Sequence, residues 1–189
     1  MMIINNGIDF INFIDTGSSN KDYEFKNNVV IGHIARWHEI KGHKYFIEMA
    51  SNLYKQDHKF SFILVGTGID WSNKELVLLL KKNGLIDAVK LLGEQEDISK
   101  VLNNIDIYIS SSINESFSLT LVEAIACRVL SISSDTGVAR EALSDDLCIV
   151  DIKNSTQLIG AVKSLISMPP NEIMKIIDDS YEKIQGKFN

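Results

Sequence analysis

Proline is nearly missing from this chain of 189 residues. The two that occur, Pro169 and Pro170, stand together and divide the last two helix-like segments. Cysteine is equally scarce. Cys127 and Cys148 each lie among apolar neighbours, with neither the spacing of a metal site nor a disulfide framework, so buried free thiols in a reducing compartment are expected. No apolar run reaches about 18 residues, which argues against a membrane-spanning helix. The opening "MMIINNGIDFINFI" has no basic leader and no small-residue cleavage site, so it does not read as a signal peptide. Positive charge is also short, with 19 basic against 25 acidic residues and a net charge of −6. That balance argues against a general nucleic-acid surface. A small anionic ligand needs only two or three local cations and stays open.

What is present is a soluble globular composition, 45% hydrophobic and 23% charged, long enough for one domain with a full core. From residue 29 onward, strand-like and helix-like stretches alternate. Strands are predicted at 29–35, 60–66, 89–93, 106–112, 129–134 and 147–151. Helices are predicted at 44–54, 73–84, 97–104, 119–127, 138–143, 155–166 and 171–184. In the first helix Phe46, Met49, Ala50 and Leu53 fall at helical spacing. Such alternation implies right-handed βαβ units, and hence a Rossmann-like three-layer α/β/α domain with a parallel sheet of about six strands. The strands are continuous apolar runs, as expected when both sheet faces are covered. Residues 1–28 break the pattern and read as a lead-in or interdomain linker, leaving 29–189 as the domain. Ligands of such sheets sit beyond the carboxyl ends of the strands, which singles out loops 36–43, 66–72, 93–97, 111–118 and 134–138.

The first of these loops, "ARWHEIKGHK", carries Arg36 and Lys41 between a strand end and a helix start. Two cations there, with free helix N–H groups, could grip a diphosphate; they could equally be ordinary surface cations. His33, His38 and His43 recur every five residues, a spacing that suits no common metal pair, so packing or surface roles are expected. "VGTGIDW" puts Gly66 and Gly68 after the second strand, either as a tight turn or as a close approach of backbone to ligand. In "NESFSLTLVE", Glu115 falls on a loop and Glu123 inside the next helix. Thr120-x-x-Glu123 matches a capping box, although Leu119 already reads as helical. The alternative is that each carboxylate accepts from a polyol, with helix N–H groups between them for phosphate. There is no Asp-x-Asp pair, the usual short motif for a metal-bridged diphosphate.

"IGHIARWHEIKGHKYFIEMA", "FSFILVGTG", "VKLLG" and "NESFSLTLVEAIAC" occur in this order, with an Arg-x4-Lys and a Glu-x7-Glu pair in place. Together they resemble the donor-binding, carboxyl-terminal domain of retaining GT-B glycosyltransferases, the group that includes lipopolysaccharide and capsule enzymes. The likeness runs from about Asn6 to near the end. It implies that Arg36 and Lys41 hold the nucleotide diphosphate, that Glu115 binds the donor sugar and that Glu123 binds the ribose. It further implies that Phe117, Ser118, Leu119 and Thr120 face the phosphates and that Leu92 and Gly93 border the base. Gly32 and Gly66 count among the donor-binding positions. The nucleotide sugar is a substrate; no cofactor and no essential metal are expected.

Some positions depart from the family pattern. Ser116 and Ser118 replace both glycines of the usual Glu-Gly-Phe-Gly, Arg128 replaces a helix-ending glycine, Leu130 a proline and Val138 a loop glycine. If a serine must adopt positive φ, it costs roughly 1–2 kcal/mol. The resemblance also implies a second, acceptor-binding amino-terminal domain that this chain does not include, on the same polypeptide or a separate one. On this reading the chain is expected to be cytoplasmic, with the inner face of the cytoplasmic membrane as a further location open to the complete enzyme, and the isolated domain to be inactive or nearly so. Alternatives are a non-catalytic subunit completing a separate acceptor-domain chain, half of a nucleotide-sugar epimerase, or a nicotinamide-binding domain. The absence of a third glycine disfavours the last.

Overall fold

The computed structural model describes Tyr23, Phe25 and residues 28–188. Six strands form one parallel sheet: β1 Val29–Ile34, β2 Phe60–Val65, β3 Val89–Leu91, β4 Ile107–Ser110, β5 Leu130–Ser134 and β6 Ile149–Val150. Their order is β3-β2-β1-β4-β5-β6, so the direction of winding reverses between β1 and β4. That reversal opens a crevice at the carboxyl edge, where ligands of doubly wound sheets bind. All five strand pairings are parallel. The fold is the Rossmann-like three-layer architecture that the alternation predicts.

The helices are α1 His43–Gln56, α2 Lys74–Lys82, α3 Ile98–Leu102, α4 Leu119–Ala126, α5 Ala139–Ala142, α6 Ser155–Ile166 and α7 Pro170–Phe188. Helix α1 buries Phe46, Ile47, Met49, Ala50 and Leu53 along one stripe, as its periodicity requires. In α7, Ile173, Ile176, Ile177, Ser180, Ile184 and Phe188 are buried at three- and four-residue steps. Because that stripe continues, the helix runs four residues beyond the predicted end at 184. The last strand is shorter than the predicted 147–151. Asp145 accepts from the Leu147 N–H at 2.8 Å and caps a 3-10 turn over Asp146–Cys148, which leaves only two residues to pair with β5.

Gly32 lies inside β1, paired with Tyr108 of β4. A Cβ there would meet Ile105 Cδ1 at 2.1 Å, so the side chain of Ile105 occupies the space that glycine leaves. Packing accounts for this glycine. Both cysteines are buried, and burial pushes the Cys148 thiol up to about 12. Of the expected lead-in, Tyr23 reaches the core, only 5% exposed, and donates its hydroxyl to the Arg128 carbonyl at 2.7 Å. The remainder of the lead-in, apart from Phe25 and Asn28, lies outside the described residues.

Candidate functional site

Three strand-end loops are laced together at the carboxyl edge. Ala35 N–H donates to Val65, Trp37 N–H to Thr67, Gly66 N–H to Gly93 and Gly93 N–H to Ile69, all at 2.8 Å. Gly66 adopts φ +138, and a Cβ there would lie 2.4 Å from the Ala35 carbonyl oxygen. The loop after β1 is then fastened to the loop after β4. Ile113 N–H donates to Ile40 at 2.8 Å, and the Ser111 hydroxyl donates to the Gly42 carbonyl at 3.1 Å. Gly137, at φ +55, packs against Glu115 from the other side. Backbone contacts therefore fix the positions from which the charged side chains start.

Those contacts bring together groups that are far apart in sequence. A cleft of about 280 Å³ is lined by Arg36, Lys41, Glu115, Ser118 and Thr120, with Tyr108 and Ser112 among its walls. Lys41 Nζ and Glu115 Oε1 form an ion pair, and Ser112 donates its hydroxyl to the same oxygen at 3.0 Å. The two side chains are only 21% and 13% exposed, so solvent screens this pair less than a surface pair. Arg36 is exposed and, among the described residues, forms no ion pair. Its charge is available at the mouth of the cleft.

Helix α4 begins at Leu119 with Ser118 as its N-cap, and no side chain caps it. Its first-turn N–H groups are left for water or a ligand. Thr120 is therefore the second residue of the helix, and the capping box considered for Thr120 and Glu123 does not form. Glu123 lies one turn into the helix, where burial raises its carboxyl above the usual range. The hydroxyls of Tyr108, Ser110 and Thr120 line the same cleft, and burial pushes the Tyr108 phenol upward. Phe117 turns its ring onto Phe188, with centroids 5.5 Å apart. Leu119 is 46% exposed. Leu92 lies apart from the cleft, beside a wider depression of about 760 Å³ that is also lined by Lys90, Gln95 and Lys100. Gly93, at φ +65, connects that rim to Gly66.

The substituted serines introduce no strain. Ser118 adopts φ −94, and the only non-glycine residues with positive φ among those described are Arg128 and Lys153. Arg128, in contrast, takes φ +53, the left-handed conformation of the glycine it replaces.

The histidines pack rather than converge on a metal. His38 is exposed and accepts from the Ile40 N–H at 3.2 Å. His33 and His43 are buried edge to face, with ring centroids 4.7 Å apart. His33 Nδ1 faces the Ile109 carbonyl at 2.8 Å and so carries the proton. Burial holds His33 near 4 and His43 near 2, so both rings are neutral. The structure adds the side chains of His33, Tyr108, Ser110 and Ser112 to the cleft residues expected from the sequence. Hydroxyls clustered at the end of "DIYISSS" were the available signal, because a strand buried on both faces otherwise excludes them.

A doubly wound sheet with cations, a carboxylate and an uncapped helix gathered at its switch point defines a Rossmann-like ligand-binding domain. Residues 16–183 match the family model described as Glycosyl transferases group 1, and the chain belongs to that family. A putative glycosyltransferase, EpsF of Bacillus subtilis, is 28% identical over 71% of this chain and 36% of its own length. The O-antigen biosynthesis glycosyltransferase WclY of Escherichia coli is 27% identical over 85% of this chain and 44% of its own. The chain thus spans less than half the length of either relative. Among solved structures, Anabaena HepE in complex with UDP and glucose superimposes with a TM-score of 0.83 at 24% identity, covering all of this chain and 53% of HepE. The C-terminal domain of the group 1 glycosyl transferase LpcC from Francisella tularensis gives 0.78 at 26% identity, covering 97% of this chain and 99% of that one. Among the described residues, no helix is long and apolar enough to cross a membrane.

Proposed function

We propose that this chain is the donor-binding half of a retaining glycosyltransferase and takes a nucleoside diphosphate sugar for bacterial surface polysaccharide synthesis. The observation that carries the reading is the cleft in which Lys41, Glu115 and Arg36 meet the uncapped end of α4. Cations and helix N–H groups suit a diphosphate, while carboxylates suit the hydroxyls of two sugars. In this reading Arg36 and Lys41 stabilise the charge that builds on the departing diphosphate, and the backbone of Phe117, Ser118, Leu119 and Thr120 contacts its oxygens. Glu115 accepts from the transferred hexose, Glu123 from the ribose, and Leu92 and Gly93 border the base. Catalysis then rests on positioning and electrostatic stabilisation, with the sugar configuration retained and no metal assigned to the step. The name of WclY, an O-antigen biosynthesis enzyme, supports a polysaccharide product, and HepE, solved with UDP and glucose, supports a nucleotide-sugar donor. Transfer requires an acceptor-binding domain as well, and a membrane-linked acceptor would bring the complete enzyme to the cytoplasmic membrane face.

Calorimetric titration with UDP, GDP and their hexose esters tests the assignment. Wild type should bind one base series, and Arg36→Ala and Glu123→Ala should each weaken it about tenfold or more, as loss of a charge-assisted contact does. Absence of binding at millimolar ligand, or variants indistinguishable from wild type, would overturn it.

A further inference from the structure

The ion pair in the cleft has a consequence for which ligand the site prefers. Glu115 places an anion on the cation that a diphosphate needs. Ser112 holds the carboxylate there through the same oxygen, and a Cβ on Gly137 would come within 3.2 Å of the Glu115 Cβ, so the backbone at Gly137 closes over that side chain. Lys41 is therefore already neutralised by a residue of its own chain. An incoming diphosphate must compete with that carboxylate and must also lie beside its negative charge in a cleft of low exposure. A hexose attached to the diphosphate changes this balance, because its hydroxyls can donate to Glu115 and draw it from Lys41. A bare nucleoside diphosphate has no such group and also carries more negative charge at its terminal phosphate.

We infer that Glu115 is an internal competitor for Lys41, and that this competition makes the cleft select a nucleoside diphosphate sugar over the bare nucleoside diphosphate. The inference rests on the donor-binding reading above and deepens it. Once the hexose has left, Glu115 returns to Lys41 and helps expel the spent diphosphate. Glu115 is thus a specificity-determining residue for which the bound hexose is the signal.

The test is isothermal titration of the full chain with UDP, UDP-glucose, GDP and GDP-mannose, in wild type, Glu115→Gln and Ser112→Ala. For whichever base series binds, Glu115→Gln should tighten the bare diphosphate about tenfold while leaving the hexose ester unchanged or weaker. The preference for the ester then collapses. Ser112→Ala keeps the charge but removes the hydroxyl that holds it, so it should shift the same ratio in the same direction by a smaller factor; it also serves if Glu115→Gln does not fold. If Glu115→Gln weakens the bare diphosphate, or changes both ligands equally, the competition does not exist, although the donor-binding reading survives. If wild type binds none of the four ligands, the donor-binding reading fails and this inference with it.

Discussion

Gly42 sits so close to Ser111 that a Cβ on it would lie 1.8 Å from the Ser111 carbonyl oxygen, and its φ of +68 already belongs to the left-handed region. Ser111 also donates its hydroxyl to the Gly42 carbonyl. This contact joins the loop that carries Lys41 to the loop that carries Glu115. Gly42→Ala should therefore damage both stability and the site. Left-handed strain of about 1–2 kcal/mol and an overlap of about 1–3 kcal/mol add to a loss of roughly 2–5 kcal/mol. For a domain of this size the melting temperature should fall by at least about 4 °C. Nucleotide-sugar titration should lose affinity as well, although no charged group has been removed. A variant that melts within a degree of wild type would show that this contact relaxes freely.

That juxtaposition also marks the boundary of what the sequence made legible. The layers, the six strands and the helical stripes followed from apolar periodicity, because burial on both sheet faces leaves a direct imprint on residue order. Arg36, Lys41 and Glu115 were visible as loop residues after strands, and the structure gathers them in one cleft. Their pairing was not visible, since it depends on two loops some seventy residues apart being held by backbone contacts at Gly42 and Ser111. Tyr108 and Ser112 were hidden for a related reason. A hydroxyl in a buried strand shows its purpose only when the residues it faces are in place, Glu115 for Ser112 and the cleft wall with Thr120 for Tyr108. The capping box was a local pattern that the true start of α4, one residue earlier than Thr120, removed.

The serines that replace the loop glycines bear on stability in the opposite sense from strain. Neither Ser116 nor Ser118 has positive φ, so glycine would relieve nothing and would widen the unfolded ensemble. Ser116→Gly and Ser118→Gly should each destabilise by about 0.4–1 kcal/mol, measured by urea unfolding. An increase in stability for either would mean that the serine is strained after all.

Arg128 gives the contrasting case. It takes φ +53 at the end of α4, where Val129 N–H reaches back to Ala124 at 3.0 Å in the manner of a glycine-ended helix. Its side chain compensates, pairing with Asp178 and lying 4.2 Å from the centre of the Tyr181 ring. Arg128→Ala keeps the strain and loses both contacts, whereas Arg128→Gly loses the contacts and relieves the strain. The glycine variant should therefore be the more stable of the two by about 1 kcal/mol and close to wild type, since a cation–π contact and an exposed ion pair are each worth about 1 kcal/mol or less. Paired denaturation curves of the three proteins decide it.

Glu123 should set a pH dependence of its own. Burial raises its carboxyl above the ordinary value, so the folded chain holds that proton more firmly than the unfolded chain. Between the unfolded pKa of about 4.3 and the higher folded one, folding takes up a proton, and the Glu123 contribution to stability declines as pH rises through that window. Below the window the carboxyl is protonated in both states and the penalty vanishes; above it the penalty is complete. Glu123→Gln removes the titration while keeping shape and one acceptor. Its stability relative to wild type should rise from pH 4 toward neutrality and then level, as read from urea midpoints at each pH. The same variant should bind nucleotide more weakly, because a carboxylate accepts from both ribose hydroxyls more strongly than an amide can. Higher stability with weaker binding is the combination expected of a buried charge kept for its ligand. A flat difference across the pH range would show that Glu123 is solvated and that its place in α4 has another cause.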